Sequence, residues 1–180
     1  MIENLTTKTN TVSWVYNNVA YKLEIENSFF ASEDMESEYI QIYSGLNYNV
    51  EKEHYFSFRG EKELVCDFKT GKIEWNFHNR EYKLVINEIV KIGFFPEKDT
   101  ILIIRGHQNQ KLLRYNLQGD LIFCVSPPFN FQMRYFDKSK DNMLVICDGN
   151  SKETDQFGRF RYSFILDLQN GQLNKCSYAY

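Results

Sequence analysis

The sequence predicts an all-β protein built from about three four-stranded antiparallel blade-like repeats and an N-terminal hairpin, an open or incomplete β-propeller. Three observations predict it. Aromatic residues are abundant, with 15 Phe, 12 Tyr and 2 Trp in 180 residues, while Ala occurs only three times. That balance favours strands over helices. Short apolar segments recur at a blade-sized interval, and glycines recur in phase with them. A curved antiparallel sheet stack without propeller architecture is the structural alternative.

The N-terminal segment 1–38 reads as a hairpin, Thr11–Tyr16 and Tyr21–Glu26 turning at Asn17-Asn18, followed by an acidic linker. Blade 1 is expected over 39–78, with strands near 39–45, 54–59, 63–68 and 72–77. Blade 2 covers 89–126, with strands near 89–95, 101–105, 111–116 and 121–125. Blade 3 covers 131–178, with strands near 131–136, 143–147, 160–167 and 172–178. Two alignments support these registers. Glu51–Gly60 can be laid on Glu97–Gly106 at an offset of 46 residues, and Lys140–Gly149 follows 43 later. The segment Val65–Ile73 matches Leu113–Leu121 and Ile165–Leu173, each a strand, a turn ending in Gly and a second strand. One domain suits 180 residues.

At Asp67-Phe68-Lys69-Thr70-Gly71-Lys72-Ile73-Glu74-Trp75 the chain resembles the blade ending of quinoprotein-type propellers, an Asp-x-x-Thr-Gly-x-x-x-Trp pattern. The resemblance implies a blade-like fold and carries no quinone site. The other two copies lack both Thr and Trp.

Composition narrows the function classes. The longest aliphatic run, Ile101–Ile104, is far below the ~20 residues of a membrane span. No apolar block with a small-residue cleavage site opens the chain, so a cytoplasmic protein with four reduced cysteines is expected. Net charge is −3, unevenly spread: residues 1–90 carry 9 Lys/Arg against 15 Asp/Glu, residues 91–180 carry 12 against 9. An acidic half argues against nucleic-acid binding.

No catalytic constellation is legible. There is no Gly-rich phosphate loop, no G-x-S-x-G elbow and no His-Glu-x-x-His, and no cofactor is implied. His54, Cys66 and His78 are twelve residues apart without the close ligand pairs of a zinc site. Buried thiols and a surface His are the simpler reading. The enzyme question therefore leans to no.

Binding is expected instead on the irregular turns, since the opposite face carries short, charged, solvated turns at Glu51–Glu53, Glu97–Asp99 and 138–141. Segment 29–38 is the densest acidic stretch, and Glu33, Asp34, Glu36 and Glu38 are placed with Glu61 and His107 on one face. The third-blade insertion, carrying Asp155, Phe157 and Arg159, joins them: its flanking glycines stand 22 residues apart, against 11 and 13 in the other blades. Carboxylates there would pair with Arg and Lys of a basic partner. In general character the chain resembles bacterial immunity proteins, which neutralise cognate toxins. The expectation is a non-enzymatic module binding another protein, of basic character, or a second copy through uncovered blade edges. A carbohydrate or small-ligand protein using Trp75 or Tyr162 as a platform is the rival, beside an uncharacterised enzyme.

Overall fold

The structure, a computed structural model, describes residues 2–139 and 142–179. Lys140 and Asp141, expected in the first turn of the third blade, lie outside the described residues. Among the described residues there are seventeen β-strands, two 3₁₀ turns and no α-helix, so the chain is all-β. It divides into two compact units, Met1–Ile86 and Asn87–Tyr180.

Unit 1 contains two antiparallel sheets. The first is β1 (Ile2–Lys8), β2 (Thr11–Tyr16) and β3 (Val19–Glu24), in that order. The second runs in sequence order through β4 (Ser28–Asp34), β5 (Tyr39–Ser44), β6 (Lys52–Ser57), β7 (Lys62–Asp67), β8 (Lys72–Phe77) and β9 (Arg80–Val85). The two sheets share a core in which Val12 and Trp14 of the first meet Ile40, Ile42 and Phe58 of the second.

Unit 2 holds two four-stranded antiparallel sheets. One is β10 (Ile89–Phe95), β11 (Thr100–Arg105), β12 (Lys111–Tyr115) and β13 (Leu121–Val125). The other is β14 (Phe131–Ser139), β15 (Asn142–Gly149), β16 (Arg161–Leu166) and β17 (Leu173–Tyr178). Leu102, Ile104 and Leu112 of the first pack with Met133, Val145, Cys147 and Phe164 of the second. Ile101 to Ile104 are all fully buried, so β11 is covered on both faces, as its unbroken apolar run requires. Between the sheets the buried Gln110 amide pairs with the Met133 backbone, donating to its carbonyl at 3.0 Å and accepting its N–H at 2.7 Å.

The expected strands of the three blades and the hairpin at Asn17-Asn18 are present. Three strands are additional: β1, β4 and β9. Each is a sheet edge in which at most half of the side chains are apolar, a weaker signal than a central strand gives. The segment expected as an acidic linker is therefore strand β4 and its turn, and the first blade-like sheet has six strands instead of four.

A second internal repeat explains the added strands. Lys8–Gly45 superposes in sequence on Lys69–Gly106 at an offset of 61, matching Trp14 to Trp75, Tyr21-Lys22-Leu23 to Tyr82-Lys83-Leu84, and Ile25 to Ile86. The backbone follows this offset. Left-handed φ recurs at Asn17 and Asn18 (51° and 62°) and at His78 and Asn79 (48° and 58°), the pair that a two-residue hairpin turn of matching twist demands. Ile25 N–H donates to Asn10 O at 3.0 Å, and Ile86 N–H to Gly71 O at 2.9 Å. Trp14 stacks on Tyr21 and Trp75 on Tyr82, with ring centroids 5.7 and 5.5 Å apart.

The same offset assigns strand positions. Gly45 N–H donates to Asn27 O at 3.0 Å, Gly106 N–H to Glu88 O at 2.8 Å, and Asn150 N–H to Asn130 O at 3.0 Å. Asn27, Glu88 and Asn130 all have left-handed φ and precede β4, β10 and β14. Those three strands correspond, so the six-stranded sheet opens at β4. The 46-residue alignment paired glycines with different roles: Gly60 closes its own turn onto Ser57 O at 2.8 Å, whereas Gly106 reaches back to Glu88. The hairpin alignment is the sounder of the two. Gly71 and Gly171 each donate to the Asp four residues earlier, both at 2.8 Å, and Asp67 and Asp167 each cap the turn through their carboxylates.

Candidate functional site

The nine residues expected to meet a partner fall into two groups, one in each unit. In unit 1, the β4–β5 and β6–β7 turns emerge at the same end of the six-stranded sheet, because successive hairpin turns alternate ends. Phe58 N–H donating to Glu38 O at 3.2 Å ties the two turns together. This end gathers Glu33, Asp34, Glu36, Glu38 and Glu61. Asp34 shapes its own turn, its Oδ1 accepting the Glu36 and Ser37 N–H groups at 3.0 and 2.9 Å. Glu33, Glu36, Glu38 and Glu61 are exposed. Glu33, Glu38 and Glu61 make no ion pair with any described residue. Burial raises the Glu63 carboxyl above its ordinary value, and the neighbouring Glu61 charge adds to the rise. Carboxylates thus outnumber the cations Arg59 and Lys62 at this end.

In unit 2, His107 and the β15–β16 loop lie at one end. His107 is exposed, and its carbonyl accepts Gln132 Nε2 at 3.1 Å. The loop is shaped by Asp155. Its Oδ1 accepts the N–H groups of Phe157 at 2.8 Å and Arg159 at 2.9 Å, and its Oδ2 accepts Arg159 Nε at 2.7 Å. Desolvation acts to raise the Asp155 carboxyl, but these donors together hold it down at about 2. The Arg159 guanidinium lies 4.1 Å from the Tyr178 ring centroid and 5.3 Å from that of Phe157. The loop is further tied to the sheet by Tyr162, whose hydroxyl donates to Glu153 O at 2.8 Å. Phe157 is left 73% exposed on this braced loop.

The 61-residue correspondence changes the expected grouping. Glu36 and Glu38 correspond to Glu97 and Asp99 of the β10–β11 turn, which leaves its sheet at the end opposite to His107. The acidic turn and the β15–β16 loop therefore occupy non-equivalent ends of their respective sheets. The expectation of one common face came from taking 27–38 as a linker; once β4 is a strand, the turn takes the other position.

Two further expectations are corrected. Glu53, expected in a solvated charged turn, is fully buried and accepts the Tyr55 hydroxyl at 2.5 Å and the Gln41 amide. Trp75 and Tyr162 are 1% and 7% exposed, so neither ring offers a platform to a sugar. His54 and Cys66 lie on opposite faces of their sheet, since His54 pairs with Val65 and Glu53 with Cys66. Among the described residues no three His, Cys, Asp or Glu side chains converge as metal ligands.

In unit 2, two exposed aromatics were not singled out by sequence. Phe129 and Phe160 are exposed, at 88% and 44%, and line shallow depressions of about 320 and 350 Å³ that share Asn130 and Phe131. Pro127-Pro128 before Phe129 was the available signal: paired prolines keep the segment out of a sheet and leave the next side chain uncovered.

No protein-family model matches the chain and no curated protein matches its sequence. Among solved structures, it is similar to the dihydro-heme d1 dehydrogenase NirN in complex with DHE, at 10% identity and a TM-score of 0.49. The similarity covers 94% of this chain and 43% of that one, so this chain spans less than half the length of its structural neighbour. Among the described residues no helix is long and apolar enough to cross a membrane.

Proposed function

We propose that this protein is a non-enzymatic, cytoplasmic protein-binding module whose partner is basic, of the kind an inhibitor or immunity protein neutralises. The observation that carries the reading is the braced β15–β16 loop. A Phe held out to solvent by a carboxylate-capped turn and a stacked Arg has little conformational freedom left to lose on binding. The acidic end of unit 1 is a second, separate surface whose charge is opposite to that of such a partner. Rim carboxylates act mainly on association rate, and each contributes about 0.2–1 kcal/mol.

The test begins with affinity capture from the source cell, followed by association kinetics. Reversing Glu33, Glu36, Glu38 and Glu61 to Lys should slow association roughly tenfold at low salt. The pair Glu51→Lys and Glu81→Lys, on charged positions elsewhere in unit 1, should leave it unchanged. Phe157→Ala should act on dissociation, at a cost of roughly 2 kcal/mol. Recovery of a small ligand with no protein partner would defeat the reading, as would association indifferent to all three variants. Assembly of a second copy on an uncovered sheet edge would instead show as a mass that rises with concentration.

A further inference from the structure

The hairpin β12–β13 repeats the hairpin β6–β7 at an offset of 59 residues. Asn116 N–H donates to Asp120 O at 3.0 Å and Gly119 N–H to Asn116 O at 3.1 Å. Ser57 N–H likewise donates to Glu61 O at 2.9 Å and Gly60 N–H to Ser57 O at 2.8 Å. Phe58 and Leu117 are buried at the same position of the two turns. The registers agree as well. Phe56 pairs with Lys62 and Tyr55 with Leu64, leaving Glu63 as an extra residue. Tyr115 pairs with Leu121 and Arg114 with Phe123, leaving Ile122. Phe123 to Ser126 therefore hold the positions of Leu64 to Asp67.

The two strands differ in what lies beyond them. Leu64 to Asp67 pair with β8, from Leu64–Trp75 to Asp67–Lys72. β13 is the last strand of its sheet, with no strand beyond it. The bulge at Ile122 does not spoil this edge, because β7 has the same bulge and is paired. Other edge strands carry a lysine in mid-run: Lys22 on β3, Lys83 on β9 and Lys175 on β17. Among the described edge strands β13 alone has no charged residue, and charge is the common guard against edge pairing. Leu121 and Ile122 are 51% and 41% exposed, and Cys124 is exposed.

The edge is complementary to itself. Asp120 stands at its start. At its end Lys111 Nζ donates to Ser126 Oγ at 2.8 Å, and Arg105 lies beside Lys111 in register. Neither Asp120 nor Lys111 makes an ion pair with any described residue. Two copies of β13 related by a two-fold axis run antiparallel, so the acidic start of each lies toward the basic end of the other. Antiparallel hydrogen bonds alternate along a strand, so such a pairing sets one residue opposite its own copy. Pro127 has no N–H to donate, which limits the run to Ile122–Ser126 and puts Cys124 at the axis.

We propose that the protein forms a two-fold dimer through β13, joining two four-stranded sheets into one. Phe123 lies opposite Val125 of the second copy, and Ile122 opposite Ser126. Five residues a side make a small contact, so the dissociation constant is on the order of 10–100 µM. The contact uses neither the acidic turn nor Phe157, so it stands or falls separately from the binding of a basic partner.

Sedimentation of the full chain between roughly 5 and 500 µM reads the mass, which should rise from monomer to dimer. Ile122→Lys, with circular dichroism unchanged, should weaken the dimer roughly tenfold or more. Val19→Lys, at an exposed position on the edge of β3, should not. Residues opposite one another in an antiparallel pair have Cα atoms about 4.5–5.5 Å apart, within reach of a disulfide. The thiol oxidant diamide should therefore trap a covalent dimer of the Cys176→Ser chain and none of the Cys124→Ser chain. A chain still monomeric at roughly 500 µM would overturn the proposal. So would a dimer indifferent to Ile122→Lys, or one that diamide traps through Cys176 alone.

Discussion

At the scale of single residues, burial sets what two kinds of side chain can do. His54 is neutral in the folded chain because burial pushes its ring down to about 4, with Lys52 acting in the same direction. The unfolded chain takes up that proton near pH 6.5. Stability from this group is therefore complete above about pH 6.5 and is lost progressively as pH falls toward 4, by on the order of 2–3 kcal/mol. Urea midpoints measured across that window should fall in the parent and fall less in His54→Gln; parallel slopes would assign the pH dependence to other groups. The thiols divide in a comparable way. Cys66 and Cys147 are fully buried, and burial pushes the Cys147 thiol up to about 12, with Asp148 adding to it. Cys124 and Cys176 are exposed. A thiol reagent should titrate two cysteines in the native protein and four after denaturation, since only an accessible thiolate reacts.

At the scale of elements, the repeated hairpin is where local chemistry and packing agree. Asn10 and Gly71 hold the same left-handed position, at φ 65° and 72°. Their surroundings differ: a Cβ added at Gly71 would come 2.2 Å from Ile86 O. Gly71→Ala combines that clash with a strained backbone and should cost about 2 kcal/mol or more. Asn10 already carries a side chain, and its Oδ1 accepts Asn27 N–H at 2.6 Å. Asn10→Ala loses that bond and puts Ala at the same left-handed φ but meets no clash, so it should cost about 1–2 kcal/mol, less than Gly71→Ala. Denaturation midpoints of the two variants check the order; a milder effect at Gly71 would show that the β9 end relaxes away from the turn. The hairpins also carry their own protection against edge pairing. Lys22 and Lys83 sit mid-strand on β3 and β9, and Lys83 pairs with Glu74 at 3.3 Å and Glu81 at 3.0 Å. A desolvated charge at that place opposes a second strand docking there.

At the scale of the whole chain, what was legible in the sequence was local. Strand identity, the Asn17-Asn18 turn and the Asp67 and Asp167 turns follow from alternation and from residues that tolerate left-handed φ. Those preferences act over a few residues and need no partner. The candidate site was legible only as composition: acidic residues near 33–38 and an insertion near 150–159. Its grouping depended on which strand opens the six-stranded sheet. Repeat spacing offered two offsets, 46 and 61, and only backbone hydrogen bonds such as Gly45 to Asn27 and Gly106 to Glu88 chose between them. The edge strands β4 and β9 exist because a neighbouring strand pairs their backbone, a benefit that side-chain pattern does not record. Burial was likewise decided by tertiary contact. Glu53 and Trp75 look like a surface acid and an open ring in the sequence, yet the sheet takes both out of solvent. Which edge stays open has no sequence signature at all, because it arises from the order of strands in each sheet: β8 pairs on β7, and no strand follows β13.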